Sequence, residues 1–161
     1  MAVDQFLKIG DIKGEAKDDK KKGEIDVLAW SWGMSQSGTF HHGGGGGAGK
    51  ANFSDLSVTT YIENGTSALL QMCATGDHVK EATLTVRKAG KKPMEYLTIK
   101  MKKVMVTSVS TGGSSGEDRL TQNISLNFAE VEVIYKEQKD DGSAGADKKF
   151  AYDIEANKDL S

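Results

Sequence analysis

The run over residues 25–50, IDVLAWSWGMSQSGTFHHGGGGGAGK, constrains the fold more than any other stretch. Residues 25–32 read as a β-strand that is apolar on both faces. Side chains alternate across a strand, so Leu28, Trp30 and Trp32 share one face, and Ile25, Val27, Ala29 and Ser31 share the other. The glycine run that follows has no side chains to pack and cannot be core. A strand that needs cover on two sides, joined to a long pliable loop, predicts a protein that completes itself by touching other copies.

The remaining segments supply the barrel such a strand requires. Val3, Leu7 and Ile9 share one face of a first strand, and the charged, glycine-punctuated segment 10–24 reads as an exposed loop. Residues 35–50 form a loop long enough to be a functional candidate. Leu56, Val58, Thr60 and Ile62 alternate next. One short helix is expected after Asn64-Gly65-Thr66-Ser67, whose hydroxyls can cap it. Leu69, Leu70, Met72 and Cys73 form its apolar stripe, and Gly76 is its stop. Strands resume with Ala82, Leu84 and Val86, turn over 89–93 at the lone Pro93, and continue through Leu97, Ile99 and Met101 into 104–109 past a bend or bulge. A Gly/Ser loop covers 111–119. In the strand over 120–135, Ile124, Leu126 and Phe128 sit on even positions but Val131, Val133 and Tyr135 on odd ones. The slip predicts a β-bulge near Ala129-Glu130. Residues 136–149 read as polar loop, and Phe150, Tyr152 and Ile154 form a last alternation. Many strands and one helix predict a mainly β (α+β) fold: an antiparallel β-barrel, or a sandwich, with one flanking α-helix.

A length of 161 residues suits a single domain spanning 1–161, large enough to bury a real core. The net charge of −2 argues against nucleic acid, which selects a basic surface. No apolar run approaches the roughly 18 residues of a membrane helix, so no membrane insertion is expected. The opening MAVDQFLKIG lacks the basic start and apolar core of a signal peptide. Synthesis in the cytoplasm is therefore expected, with any export bypassing the signal-peptide route. The lone cysteine, Cys73, excludes an internal disulfide and a Cys-rich zinc site.

Several motifs imitate chemistry. Gly44-x-x-x-x-Gly49-Lys50 resembles a phosphate loop, and Gly44-x-Gly46-x-x-Gly49 a dinucleotide fingerprint. A β-alternating segment follows in place of the required helix, and Ala51 stands where a magnesium-binding hydroxyl belongs. Gly112-x-Ser114-x-Gly116 has the form of a nucleophile elbow. All three histidines, however, precede Ser114, against the Ser–acid–His order. His41 and His42 are adjacent and point apart in an extended chain, which disfavours a shared metal. The expectation is no enzyme, no cofactor and no metal.

Read together, WSWGMSQSG at 30–38, GGGGGAGK ending at Lys50, and STGGSSGEDRLTQNISLNFAEVEVIYK at 110–136 resemble the hemolysin-coregulated (Hcp) proteins of the bacterial type VI secretion system. MAVDQFLKIGDIKGEAKD, LSVTTYIENGTSALLQMCATG and the strand near Tyr152 fit in the same order. The resemblance implies a helix-flanked β-barrel that closes as a homohexameric ring. Rings would stack into a tube that a contractile sheath fires with a spike protein and effector cargo, leaving the cytoplasm for the extracellular space or a target cell. An added C-terminal enzymatic domain, carried by some members, is not expected, since the chain stops at Ser161 soon after its last strand. Ser31, small and polar among aromatics, is the candidate for a channel-facing cargo contact. The loop with Gly38, His41, His42, Gly45, Gly49 and Lys50 is the candidate for ring stacking. Trp30, Trp32, Glu117, Asp118 and Arg119 are candidates for contact between subunits. The competing readings are a monomeric barrel that binds ligands through its Gly loops, and an esterase built on Ser114.

Overall fold

A computed structural model describes residues 3–38, 40 and 49–161. The elements run β1 (Val3–Ile9), β2 (Ile25–Ser31), β3 (Met34–Ser35), β4 (Asn52–Phe53), β5 (Leu56–Tyr61), α1 (Thr66–Thr75), β6 (His78–Lys88), β7 (Met94–Gly112), β8 (Thr121–Gln138), β9 (Ala144–Asp153) and β10 (Lys158–Asp159). Every pairing is antiparallel. The order β8-β5-β2-β1-β6-β7 closes on itself through β7–β8, giving a six-stranded barrel, with β9 and β10 continuing from β8. Closure leaves few free edges, which otherwise invite uncontrolled pairing. The barrel interior is filled by alternating residues, among them Leu7, Ile25, Leu56, Leu84, Ile99 and Leu126.

The phase slip in β8 is present, but its cause differs from a bulge at that point. Lys102 pairs with Glu130 and Val104 with Phe128, so the β7–β8 register is unchanged across Ala129. Both strands change face together. Lys103, opposite Ala129, takes φ +52°, and the β8 edge that faces β5 through Leu126 faces β9 from Glu130 onward. The backbone of Ile154 donates to the Ala129 carbonyl at 2.8 Å where the partners change. The register shift between these strands lies instead between Val106 and Ser108.

A second bulge corrects the reading of β2. Its register against β5 shifts between Val27 and Ala29, leaving Leu28 out of step. Ile25 and Val27 point inward before the bulge, and Trp30 and Trp32 pack on the core after it. Leu28, Ala29 and Ser31 are exposed. The two apolar faces seen in the sequence are thus largely one inner face interrupted by a bulge.

Residues 136–149 are not a loop throughout. β8 runs to Gln138, β9 begins at Ala144, and their pairing reaches Gln138 and Ala144 across a short turn. Helix α1 turns Leu69, Met72 and Cys73 toward the core, while Leu70 is 45% exposed. Its start carries no side-chain cap. Thr66 is the first helical residue, and its hydroxyl accepts the Glu63 N–H at 2.9 Å. Gly76 ends the helix in a left-handed conformation, φ +74°, donating to the Met72 carbonyl at 2.9 Å.

The charged segment 10–24 is a strap across the outside of β1 and β6. Backbone bonds Gly14 N–H to Gly23 O at 2.7 Å and Ala16 N–H to Glu24 O at 2.9 Å fold it on itself, burying Ala16. Arg87 reaches from β6 to both Asp18 oxygens at 2.9 and 2.6 Å and to Asp4 at 3.1 Å, covering Phe6 with its guanidinium. Such a buried arginine is tolerable only with its charge matched. The hydrogen bonds from Arg87 hold the Asp18 carboxyl down at about 2, from an ordinary 3.8. Glu15 and Glu63 complete the tie: each accepts a backbone N–H beside the other, Asn64 N–H and Glu15 N–H, both at 2.7 Å.

Candidate assembly surfaces

Three surfaces hold the residues singled out in the sequence. The first is an arm that leaves the barrel after Trp32 and returns at Phe53. β3 and β4 pair at its root, Met34 with Phe53 and Ser35 with Asn52. The Ser54 hydroxyl accepts the Gly33 N–H at 2.9 Å and donates to the Gly33 carbonyl at 2.8 Å, while the Trp32 indole N–H donates to the Ser54 carbonyl at 3.0 Å. Aromatic packing fastens this root to the barrel end: Trp32 lies 6.5 Å from both Phe53 and Phe128, and Phe53 lies 5.3 Å from Tyr152. Farther out the two legs run side by side. A Cβ on Gly49 would stand 2.5 Å from the Ser37 hydroxyl, so a side chain there would make the Ser37 side chain turn away. Gly38, Gly49 and Lys50 are exposed, and Phe40 on the arm is 83% exposed. His41, His42 and Gly45 lie outside the described residues.

The second surface is the outside of β2. Ser31 is exposed and paired with Ser57 of β5. Trp30, beside it, points inward and is half-buried. Its indole N–H donates to Gln5 Oε1 at 2.9 Å, and Gln5 Nε2 donates to the Val27 and Leu28 carbonyls at 3.3 and 3.4 Å. This circuit matters because β1 and β2 pair only at Phe6–Asp26 and Leu7–Ile25. Beyond those pairs the seam between the strands is open, and the Gln5 amide bridges it. Exposed Val3 and Leu28 belong to the unpaired stretches on its two sides. Trp30 and Trp32 therefore pack on their own subunit's core, while Leu28 and Ala29 are the exposed apolar side chains of β2.

The third surface is the turn at residues 117–119. Glu117 N–H donates to the Ser114 carbonyl at 3.1 Å, and Glu117, Asp118 and Arg119 are all exposed. The Arg119 guanidinium stacks 3.8 Å from the centre of the Tyr61 ring, beside Asp26 and Glu63 in a cleft of about 470 Å³. Burial raises the carboxyl pKa of both Asp26 and Glu63, and Arg119 draws Asp26 part of the way back. Ser114 sits in this turn without a histidine in chain order behind it, and among the described residues no cluster of His, Cys, Asp or Glu could hold a metal.

The family model described as "Type VI secretion system effector, Hcp" matches residues 6–135 of this chain. The chain belongs to the Hcp family. It is 58% identical over 159 residues, 98% of both chains, to protein hcp1 of Pseudomonas aeruginosa. Among solved structures, Hcp1 from Salmonella typhimurium is similar with a TM-score of 0.80 and 34% identity, over 99% of this chain and 100% of that one. A structure described as a type six secretion system protein is similar with a TM-score of 0.93 and 28% identity, over 98% and 99%. Membership carries the family's role as a hexameric tube subunit, structural and not enzymatic.

Sequence reasoning missed three parts of these Hcp surfaces. Ser54 is an unremarkable serine until the chain returns beside Gly33, and Gln5 is one polar residue on a strand until the seam opens next to it. Ser57, Ser108 and Ser125 carried a readable signal, because each falls on an outward position of an alternating strand.

Proposed function

We propose that this Hcp subunit closes into six-membered rings through the open β1–β2 seam and the turn at Glu117, Asp118 and Arg119. Val3 and Leu28 supply apolar contact there, and Trp30 and Trp32 brace β2 from within. Rings then stack through the arm that includes Gly38, His41, His42, Gly45, Gly49 and Lys50. Ser31 faces the channel and touches cargo. The tube works with a contractile sheath and a spike protein, carries effector proteins, and passes from the cytoplasm to the outside or a target cell without a signal peptide.

The observation that carries this reading is the arm: a rooted projection bearing an aromatic side chain, Phe40, that is 83% exposed. An aromatic side chain of that size gains when another surface buries it. A ring-on-ring contact offers such a surface, repeated along one axis by a heterologous interface. Replacing residues 37–50 with a short turn tests it. Light scattering is expected to report rings of unchanged mass, and electron microscopy no tubes. Tubes from the shortened protein would refute the stacking role, and monomers would move the arm to ring closure.

A further inference from the structure

The strap over residues 10–24 is fastened at its tip and at its base, and the two fastenings differ in charge balance. At the tip, the buried Arg87 guanidinium meets both Asp18 oxygens at 2.9 and 2.6 Å and Asp4 at 3.1 Å, so its charge is fully matched. At the base, Glu63 accepts the Glu15 N–H at 2.7 Å through Oε2 and the Gly65 N–H at 3.1 Å through Oε1. Glu15 Oε2 in turn accepts the Asn64 N–H at 2.7 Å. Carboxylates and backbone amides alone thus tie the strap to the start of α1.

Every element that meets at the base contributes a titratable group. The strap brings Glu15 and Lys17, β2 brings Asp26, the end of β5 brings Tyr61 and then Glu63, and the turn at 117–119 brings Arg119. Three carboxylates therefore face two cations. Among the described residues no ion pair joins Glu15, Asp26 or Glu63 to either one. Arg119 is stacked on Tyr61 instead, at 3.8 Å. Glu63 is half-buried, while Glu15 and Asp26 are more exposed. A half-buried carboxylate without a counter-ion loses hydration that N–H bonds only partly replace. Burial accordingly raises the Glu63 carboxyl above its ordinary 4.5 against the pull of its two N–H donors, and repulsion from Glu15 and Asp26 adds to the rise. Asp26 is raised as well, by burial first, with Arg119 opposing.

We propose that the tie between Glu15 and Glu63 is a pH-sensitive latch, which mild acid tightens and neutral pH loosens, while the Arg87 anchor farther along the strap holds throughout. Parting the strap from α1 returns Glu63 to water and to its ordinary 4.5. The closed latch then binds the proton more tightly than the open one, so closure gains as pH falls. Asp18 runs the other way. Its carboxyl, held at about 2, stays ionised and paired through the same range. One strap therefore carries a fastening that acid strengthens and another that acid breaks only below pH 3.8. The latch stands on the subunit's own geometry and holds whether or not the turn at 117–119 closes a ring.

The amides of the two fastenings report them separately. Hydrogen exchange of the full-length protein, resolved by residue and divided by the intrinsic rate at each pH, measures the base at Glu15 and Asn64. It measures the tip at Lys20, whose N–H donates to Asp18 Oδ2 at 3.1 Å. From neutral pH to pH 4.5 the base amides are expected to gain about threefold or more in protection, and Lys20 to stay level. Base protection that is flat or falls in acid would overturn the latch, and so would base and tip moving together. Glu63→Gln removes the titrating group and is expected to leave base protection level over the same range, whatever its absolute value. A variant that keeps the wild-type slope would show that another group drives it, and would overturn the assignment to Glu63.

Discussion

Ser54→Ala is the sharpest small perturbation of the arm. It removes the two hydrogen bonds between the Ser54 hydroxyl and the Gly33 backbone, at 2.9 and 2.8 Å, and almost no packing volume. Ser54 is exposed and Gly33 half-buried, so the freed groups can turn to water. That places the loss at the low end, about 0.5 kcal/mol per bond and about 1 kcal/mol per subunit. The Trp32 indole bond to the Ser54 carbonyl and the Ser54 N–H bond to Gly33 O at 2.9 Å remain, so the barrel keeps its fold. For 161 residues, a change of that size moves the thermal midpoint by about 3 °C. At a ring-on-ring contact between hexamers the same loss recurs in every subunit. Those bonds are already made in the single subunit, so about 6 kcal/mol per contact, a factor on the order of 10⁴ in stacking affinity, is the ceiling, reached where every unfastened arm has to be re-ordered on stacking. Light scattering is expected to find normal rings, and sedimentation over a concentration series to find tubes only at much higher protein concentration. Tubes at the wild-type concentration would refute the coupling between root order and stacking. Loss of rings would show that the arm serves ring closure instead.

The other predictions concern the fold that presents these surfaces. Leu69→Ala opens a cavity between α1 and the barrel core and is expected to cost about 3 kcal/mol, whereas Leu70→Ala on the exposed side costs under about 1 kcal/mol. Urea unfolding of the two variants checks the helix orientation, and equal losses would contradict it. Asp18 has a folded pKa of about 2, below the ordinary 3.8. Its stabilising contribution is complete above pH 3.8 and is lost as pH falls toward 2, because the unfolded chain then binds more protons. Asp18→Asn is expected to lower the thermal midpoint at neutral pH and to flatten its decline through that acid window. A variant that declines as steeply as the parent would show that the strap is not held by this pair.

Much of the architecture was readable from alternation alone. The strands around Leu56, Ile99 and Ile124 declare their inner faces because a barrel wall has one dry side and one wet side, which writes a period of two into the sequence. Gly76 and the stripe of Leu69, Leu70, Met72 and Cys73 likewise announce one short helix, although Leu70 lies on its exposed side. The family was legible as well, since its glycine loops and the STGGSSGEDRLTQNISLNFAEVEVIYK run keep their order and spacing.

Long-range partnership was not legible. A slip in alternation shows that a strand changes face, but only the paired strand tells whether one residue was inserted or both strands turned together. Hence the change at Ala129 read as a bulge, although Lys103 turns with it, and the real bulge at Leu28 read as a second apolar face. The strap read as loose charge for the same reason: Asp18 lies 69 residues from Arg87, and neither position marks the other. Four serines are the plainest case. Ser31, Ser57, Ser108 and Ser125 are scattered through the sequence, and only the register of four strands brings them into one line. Local periodicity sets which way each side chain points, because it follows from backbone geometry. Which side chains become neighbours depends on the closure of the barrel, and closure is a property of the whole chain.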